Sequence, residues 1–160
     1  MCIFREVTEQ DYEGICKLIR SEEELFLVYP KGQYPFTVAQ LHKIAQLRRE
    51  LTVAVDGYKI VGFANLYNFK PQQSAFIGNV IIGESHRGSG LGRKIVTRML
   101  SIAFEKHQLP VVNISVFSNN TPALLLYSDF GFKPYEIEER EDHQGQRAAL
   151  IHMKLEHKAL

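Results

Sequence analysis

Hydrophobic and polar residues follow one another along the chain in two periods, one typical of strands and one typical of helices. Apolar runs rich in β-branched residues and bounded by turn residues predict strands, whereas apolar residues three and four apart behind a capping residue predict helices. The predicted strands cover residues 3–7, 51–55, 58–67, 75–82, 111–117, 133–140 and 147–154. The predicted helices begin at the N-caps Thr8, Ser21, Thr37 and Thr121, and behind the glycine-rich residues 88–92.

Turn residues divide these segments and set their order. Asp56-Gly57 between two apolar runs is a strong hairpin signal, and the polar turn at 142–145 predicts a second hairpin. Pro30 and Pro35 interrupt the helical pattern and predict an irregular segment rich in aromatic residues. The order of elements predicts an α+β fold with a mixed, mostly antiparallel sheet, helices on both of its faces, and one domain over residues 1–160.

Composition and charge exclude several classes of partner. The 160 residues are 45% hydrophobic and carry a formal net charge of +1, which gives no electrostatic reason to expect nucleic acid or an anionic membrane as a partner. Cys2 and Cys16 fit neither a disulfide framework nor a metal-binding spacing, so no metal is expected. Charges within the first ten positions and the lack of a run of about 18 apolar residues predict a soluble, cytoplasmic protein.

The most informative stretch is residues 80–98, where a strand, a glycine-rich turn and a helix follow one another. Gly88, Gly90 and Gly92 remove every second Cβ atom from the turn, so that a ligand can approach the backbone. The first turn of a helix leaves amide groups without partners and carries a partial positive charge. This stretch therefore predicts a binding site for an anion, most naturally a phosphate or pyrophosphate.

Spacing decides between the known phosphate loops. A triphosphate loop needs Lys after its second glycine, but Ser89 follows Gly88. A dinucleotide loop needs G-x-G-x-x-G, but Gly92 comes one residue too early. The pattern that fits is R-x-x-G-x-G, with Arg87, Gly90 and Gly92. It resembles the coenzyme A pyrophosphate loop of the GNAT superfamily of acetyl-CoA-dependent N-acetyltransferases.

A second motif supports this resemblance. The superfamily's pattern N-x-x-A-x-x-L-Y-x-x-x-G-F follows the strand predicted at 111–117. Its fixed positions are filled by Asn120, Ala123, Leu126, Tyr127, Gly131 and Phe132. The specific part of the resemblance covers residues 75–132.

The resemblance implies how the cofactor, acetyl-CoA, would bind. The sheet would splay between its fourth and fifth strands, the pantetheine arm would lie along the end of the fourth strand, and the glycine-rich turn would wrap the pyrophosphate. The cofactor-binding residues expected on this basis are Val80, Ile81, Ile82, Arg87, Gly88, Ser89, Gly90, Leu91, Gly92, Arg93, Asn120 and Ala123. Two alternatives stay open. Arg87 and Arg93, with Lys94 and Arg98, could form a solvated helix face, and Asn120 could be only a turn or capping residue.

The implied reaction is acetyl transfer to a primary amine by direct attack in a ternary complex. Tyr127 is the expected catalytic acid, because a phenol can protonate the departing thiolate; the alternative is a tyrosine that only packs a helix on the sheet. Many relatives carry a glutamate base on one of the splayed strands. Here the corresponding positions hold Phe76 and Ser115, so the sequence leaves the base unassigned. One alternative is an ordered water held by Asn79, Ser115 or a backbone carbonyl.

The acceptor and the oligomeric state stay open at this stage. The expected acceptor is a small-molecule or peptide amine. Its pocket is expected to be built from the aromatic segment 26–36, Asn79 and the terminal hairpin, and its site residues are expected to include Glu24, Tyr29, Tyr34, Asn79 and Ser115. Because the carboxylate base is missing, an acyl-CoA-binding sensor without transferase activity is an alternative. Because the glycine loop alone would bind other phosphates, a nucleotide- or other phosphate-binding protein is another. The sequence does not decide between a monomer and a homodimer.

Overall fold

The computed structural model describes residues 1–158 and contains one seven-stranded sheet. The strands lie in the order β1-β2-β3-β4-β5-β7-β6. Every neighbouring pair is antiparallel except β4 and β5, which are parallel. Their bounds are β1 Cys2–Glu6, β2 Arg49–Asp56, β3 Lys59–Lys70, β4 Ser74–Ile82, β5 Val111–Phe117, β6 Lys133–Glu141 and β7 Arg147–Glu156. The mixed, mostly antiparallel sheet expected from the sequence is confirmed.

Five α-helices connect the strands. They are α1 Tyr12–Cys16, α2 Glu22–Val28, α3 Val38–Leu47, α4 Leu91–Ser101 and α5 Thr121–Phe130. Ser21 and Thr37 cap α2 and α3 by accepting from the amides of Glu24 and Gln40, as the sequence predicts. Helix α4 continues in a π-helical turn over Ile102–Lys106, which apolar spacing alone does not reveal.

One helix boundary was predicted wrongly. Thr121 is the first helical residue of α5, and the N-cap is Asn120. Pro122 then sits in the first turn, where the missing amide hydrogen costs nothing because that amide would have no helical acceptor. Gly131 ends the helix in the left-handed region with φ 99°, as expected.

The helices cover both faces of the sheet, so that apolar residues from the two sides form two cores. On one face, α4 and α5 bury Ile95, Met99 and Tyr127 against the central strands. On the other, α1, α2 and α3 bury residues such as Ile15 and Leu41. The alternation of β-strand side chains between the faces supplies both cores from the same strands.

The sheet opens between β4 and β5. The two strands pair only from Ser74 with Val111 to Ile77 with Ile114, although both continue beyond these positions. At the opening, Asn79 adopts φ 48° and the register with β3 shifts, which marks a β-bulge. The splay between the fourth and fifth strands that the resemblance implied is therefore present. Within residues 1–158, no helix combines the length and apolarity needed to cross a membrane.

Candidate active site

The glycine-rich loop combines left-handed backbone with open space. Gly88 and Gly90 have φ values of 76° and 89°, a region that side chains rarely tolerate. A Cβ atom added at either position would meet no protein atom within 4 Å. Glycine is therefore required at these positions by backbone conformation, and the outer side of the loop is free for a ligand.

Backbone amides without partners line this loop. Gly90 is the N-cap of α4, and the amide of Lys94 is the first to donate back to it, over 3.2 Å. Within the described residues, the amides of Gly88 and of residues 90–93 donate to no protein acceptor. Together with the helix dipole, these amides form an anion-binding site of the kind the sequence predicts.

The two arginines of the loop are held by protein carboxylates. Arg87 donates from Nε to the carbonyl oxygen of Ile82 over 3.1 Å and from Nη2 to Glu24 over 3.3 Å. Arg93 donates to Asp129 over 3.1 Å. Both cations lie beside the loop, and phosphate contact by them stays a prediction.

The strand and helix residues of the predicted cofactor site contribute backbone more than side chain. Val80 and Ile82 pack towards α4, whereas Ile81 is buried on the opposite face. Leu91 is 3% exposed, so its side chain serves the core and its amide faces the loop. The hydroxyl of Ser89 donates to the carbonyl of His86, which closes the loop on itself.

Two residues of the second motif lie at the start of α5. Asn120 makes no capping hydrogen bond with its side chain, although its carbonyl oxygen accepts from the amide of Leu124 over 3.0 Å. Asn120 is therefore a capping residue through its backbone, and a cofactor contact by its side chain stays a prediction. Ala123 is half-buried and packs against the core of α4 and α5.

Tyr127 is buried in the core between α5 and the sheet. It is 5% exposed, and its ring lies 6.1 Å from that of Phe132 at an angle of 62°. Burial, with a smaller contribution from the nearby Tyr67, raises the pKa of the Tyr127 phenol well above its usual range. The ring packs as expected of a tyrosine that packs a helix on the sheet. The raised pKa keeps the phenol protonated at neutral pH but makes it a weaker proton donor, so the acid role of Tyr127 stays a prediction.

Asn79 belongs to a polar cluster that sequence reasoning missed. Its side chain accepts from Arg48 over 2.8 Å and from Asn65 over 2.7 Å, and donates to the carbonyl of Val28 over 2.8 Å. The Arg48 guanidinium also lies 4.2 Å from the ring centre of Tyr67. An added Cβ at Gly78 would come within 2.5 Å of both Arg48 and Tyr67, so this glycine makes room for the cluster.

The remaining acceptor-site candidates on α2 and the segment after it differ in which parts of the structure they contact. Glu24 reaches the loop through Arg87. Tyr29 ends α2, and its ring lies 5.9 Å from that of Phe36. Tyr34 is 41% exposed, and within the described residues it has no hydrogen bond or ring contact that brings it to the splay.

Ser115 is the first residue of β5 beyond its pairing with β4, and it begins a chain of hydrogen bonds. Its Oγ lies 2.7 Å from Nδ1 of His152, and Nε2 of His152 lies 3.0 Å from Oε1 of Glu138. Sequence reasoning missed both partners. The predicted terminal hairpin was the available signal, because its strands place Glu138 and His152 diagonally across from one another.

Two groups of side chains have the composition of a metal site. Cys2, Asp56 and His86 form one, Glu136, Glu138 and His152 the other, each with ligand atoms within 4.8 Å of one another. In both groups a carboxylate already pairs with a protein group, since Asp56 bonds to His86 over 2.8 Å and Glu138 accepts from Arg140. These bonds account for both groups without a metal ion, and the expectation of none stays a prediction.

Comparison with known proteins supplies the family. The family model described as "Acetyltransferase (GNAT) family" matches residues 13–132. Spermine/spermidine N(1)-acetyltransferase of Bacillus subtilis strain 168 is 30% identical over 81 residues. That match covers 46% of this chain and 53% of the relative, so the chain spans about half the length of the curated relative it matches.

Solved structures share the fold over nearly the whole chain. Spermidine N-acetyltransferase from Vibrio cholerae, in complex with CoA and spermine, has a TM-score of 0.82 at 20% identity and covers 97% of this chain and 95% of its own. Ribosomal-protein-alanine N-acetyltransferase from Brucella melitensis has a TM-score of 0.80 at 17% identity, with 97% and 99% covered. Since the family model spans most of the chain and both of its motifs lie at the splay, the chain belongs to the GNAT family of acetyltransferases.

Proposed function

We propose that the protein is an N-acetyltransferase that moves an acetyl group from acetyl-CoA to a primary amine by direct attack. The observation that carries the proposal is the row of amides without protein acceptors among the described residues, at Gly88 and residues 90–93. This row follows directly after β4, which no longer pairs with β5 beyond Ile77. A phosphate site and an open strand edge in this order fit a long ligand with a diphosphate at one end.

The residues present fit acetyl-CoA. The pyrophosphate would accept from the loop amides, where the left-handed glycines leave space. The arm would pair with the backbone of β4 beyond Ile77, which β5 no longer covers. Asn120, whose side chain is free of capping, stands at the end of β5 beside this path.

The chain's own groups support the transfer in three ways. Acetyl-CoA supplies an acetyl thioester, and backbone amides at the bulge of β4 are suited to polarise its carbonyl. Holding amine and thioester in the same opening makes their reaction effectively unimolecular. Tyr127 donates a hydrogen bond to the departing sulfur. The phenol is protonated at neutral pH and would share its proton with the sulfur as negative charge develops there.

A small cationic amine is the proposed acceptor. The named relatives include acetyltransferases of spermine and spermidine. Glu24, Glu136 and Glu138 place carboxylates near the opening, where they would attract a protonated amine. Asn79, Tyr29, Tyr34 and Ser115 stay candidates for the acceptor site, and a cytoplasmic location stays a prediction.

The test is release of free thiol from acetyl-CoA with a panel of amines that includes spermidine, spermine and an N-terminal peptide amine. We expect thiol release that requires both acetyl-CoA and an amine, with an acetylated product of matching mass. Tight binding of acetyl-CoA by calorimetry without turnover on any amine would contradict a transferase and favour the sensor alternative.

A further inference from the structure

We propose that Ser115, His152 and Glu138 form a relay that takes the proton from the acceptor amine, and thereby fill the missing position of the base. This inference rests on the proposed function. The three side chains stand on the neighbouring strands β5, β7 and β6 and are joined by two hydrogen bonds of 2.7 and 3.0 Å.

The direction of the relay follows from its acidic end. An ionised carboxylate only accepts hydrogen bonds, so Glu138 fixes the imidazole proton on Nε2 of His152. Nδ1 is then a free acceptor, and the hydroxyl of Ser115 must donate to it. Hydrogen bonds from Arg140 and His152 lower the pKa of the Glu138 carboxyl, so the carboxylate is ionised when an imidazolium forms beside it.

The position of Ser115 connects the relay to the reaction. Ser115 follows Ile114, the last residue of β5 that pairs with β4, so its half-buried side chain is at the mouth of the opening. With its own hydrogen donated to His152, Oγ retains two lone pairs. One faces the hydroxyl of Tyr67, and the other can accept from an incoming amine. Ser115 is the group that would touch the amine, and His152 and Glu138 act through it.

Aromatic rings hold the imidazole in this orientation. The ring of Phe76 on β4 meets that of His152 edge-on, with centres 6.5 Å apart. The centre of the Tyr135 ring on β6 lies 6.2 Å from that of the imidazole. The titratable and charged groups around His152 come from β3, β6 and β7 and are Tyr67, Tyr135, Glu136, Glu138, Arg140 and Lys154. Of these, Glu138 is the one bonded directly to the ring.

The proton and bond changes balance within this set. The ammonium form of the acceptor gives one proton to Ser115, whose own proton passes to Nδ1 of His152. The freed nitrogen lone pair forms the N–C bond, the C–S bond breaks, and the sulfur takes a proton from Tyr127. The nitrogen, now bonded to the acetyl group, releases its second proton to solvent, from which the Tyr127 phenol regains the proton that it gave. The imidazolium returns the first proton to solvent, so the protein ends unchanged and one proton is released for each transfer.

The experiment measures kcat/KM against pH with spermidine for the parent, His152→Gln, Glu138→Gln and Ser115→Ala. We expect the rate of the parent to rise with pH as the base loses its proton, and we expect H152Q to lack this rise and to be slower by about 10²–10⁴. Glu138→Gln should show a smaller fall, and added imidazole should partly rescue His152→Ala. The matched control is His107→Gln, which breaks a similar His–Glu bond of 2.6 Å to Glu50 away from the opening and should keep the parent's profile.

A second readout does not depend on activity. In the free protein, ¹⁵N spectra of the imidazoles should show His152 protonated on Nε2 and not on Nδ1 at neutral pH. The opposite tautomer would overturn the relay, as would an H152Q profile equal to that of the parent or an acetylated Ser115 trapped in the absence of amine. A parent inactive on every amine contradicts the proposed function itself, whereas an active parent with an unaffected H152Q profile overturns the relay alone.

Discussion

Arg48 donates from Nη1 to the side-chain oxygen of Asn79 over 2.8 Å, at the point where the sheet opens. Asn79 is the bulge residue of β4, and Arg48 follows the last residue of α3. This bond therefore ties the helical layer to the strand distortion that begins the splay. It is a cation with amide partners and no carboxylate partner, so burial lowers the pKa of Arg48.

Loss of the Arg48 side chain should destabilise the protein more than loss of the neighbouring Arg49 side chain. Arg48→Ala leaves the polar atoms of Asn65 and Asn79 short of a donor, and we expect the free energy of unfolding to fall by about 1–3 kcal/mol. Arg49→Ala is the matched control, because this exposed arginine lies over the face of Phe69 at 4.3 Å and makes no side-chain hydrogen bond within residues 1–158. Its loss should cost less than about 1 kcal/mol. Urea unfolding of both variants measures the difference, and equal losses would contradict a bracing role for Arg48.

Gly90 should be needed for binding as well as for backbone conformation. Gly90→Ala forces a side chain into φ 89° and into the space assigned to the pyrophosphate, so coenzyme A should bind at least about tenfold more weakly. Gly57→Ala carries similar backbone strain at φ 64° in the hairpin between β2 and β3, outside the glycine loop, with the same lack of neighbours. Calorimetry with coenzyme A should separate the two variants; equal affinity in G90A and G57A would remove the loop from the binding site.

Glu24 should weaken cofactor binding by holding Arg87. Glu24→Gln keeps an oxygen to accept from the amide of Arg20 but removes the charge that pairs with Arg87. An exposed pair of this kind is worth about 0.2–1 kcal/mol, so coenzyme A should bind up to about fivefold more tightly to E24Q. Glu84→Gln, which breaks the exposed pair with Arg20, is the control and should leave the affinity unchanged. Weaker binding in E24Q would show that Glu24 supports the site.

The variant Tyr127→Phe should distinguish a catalytic role of the Tyr127 hydroxyl from a role of its ring in packing alone. The ring keeps its place beside Phe132, so the melting temperature at pH 7 should change little, while kcat falls by about 10²-fold. An unchanged kcat would leave Tyr127 with its packing role only. The exposed Tyr58 provides the control variant Tyr58→Phe, which should alter neither quantity.

The same tyrosine predicts a pH dependence of stability. Its pKa is raised in the folded state above about 10 in the unfolded chain, so its stabilising contribution is complete below pH 10 and is lost as the pH rises further. The slope of unfolding free energy above pH 10 should be less negative in Y127F than in the parent, by up to about 1.4 kcal/mol per pH unit. Identical slopes would mean that the phenol is not buried as described.

Local sequence signals predicted most of the fold and the cofactor half of the site. The Asp56-Gly57 hairpin and the caps Ser21 and Thr37 act through neighbours within a few residues, so their patterns are visible in the chain. The glycine loop belongs to the same class, since its positive φ values and the bonds of Ser89 to His86 involve residues only a few positions apart. The π-helical turn after α4 and the cap of α5 depend on packing or on one-residue shifts, and periodicity does not resolve them.

The hydrogen bonds of the candidate acceptor site could not be predicted from local sequence in the same way. The bonds of Arg48 to Asn65 and Asn79 span 17 and 31 residues, and the bond of Ser115 to His152 spans 37. Each depends on which strands become neighbours and on register, because a shift of one residue would turn these side chains to the other face. The resemblance gave no help here, since it points to a glutamate at positions occupied by Phe76 and Ser115.

The most direct test of the account is a ¹H–¹⁵N titration of the protein with coenzyme A. We predict that the largest shifts fall on the amides of Gly88 and residues 90–93, which have no protein acceptor, with smaller shifts along β4 beyond Ile77. The amides of the Gly57 hairpin should stay unchanged. Saturating coenzyme A that leaves the amides of the glycine loop unmoved would contradict the account.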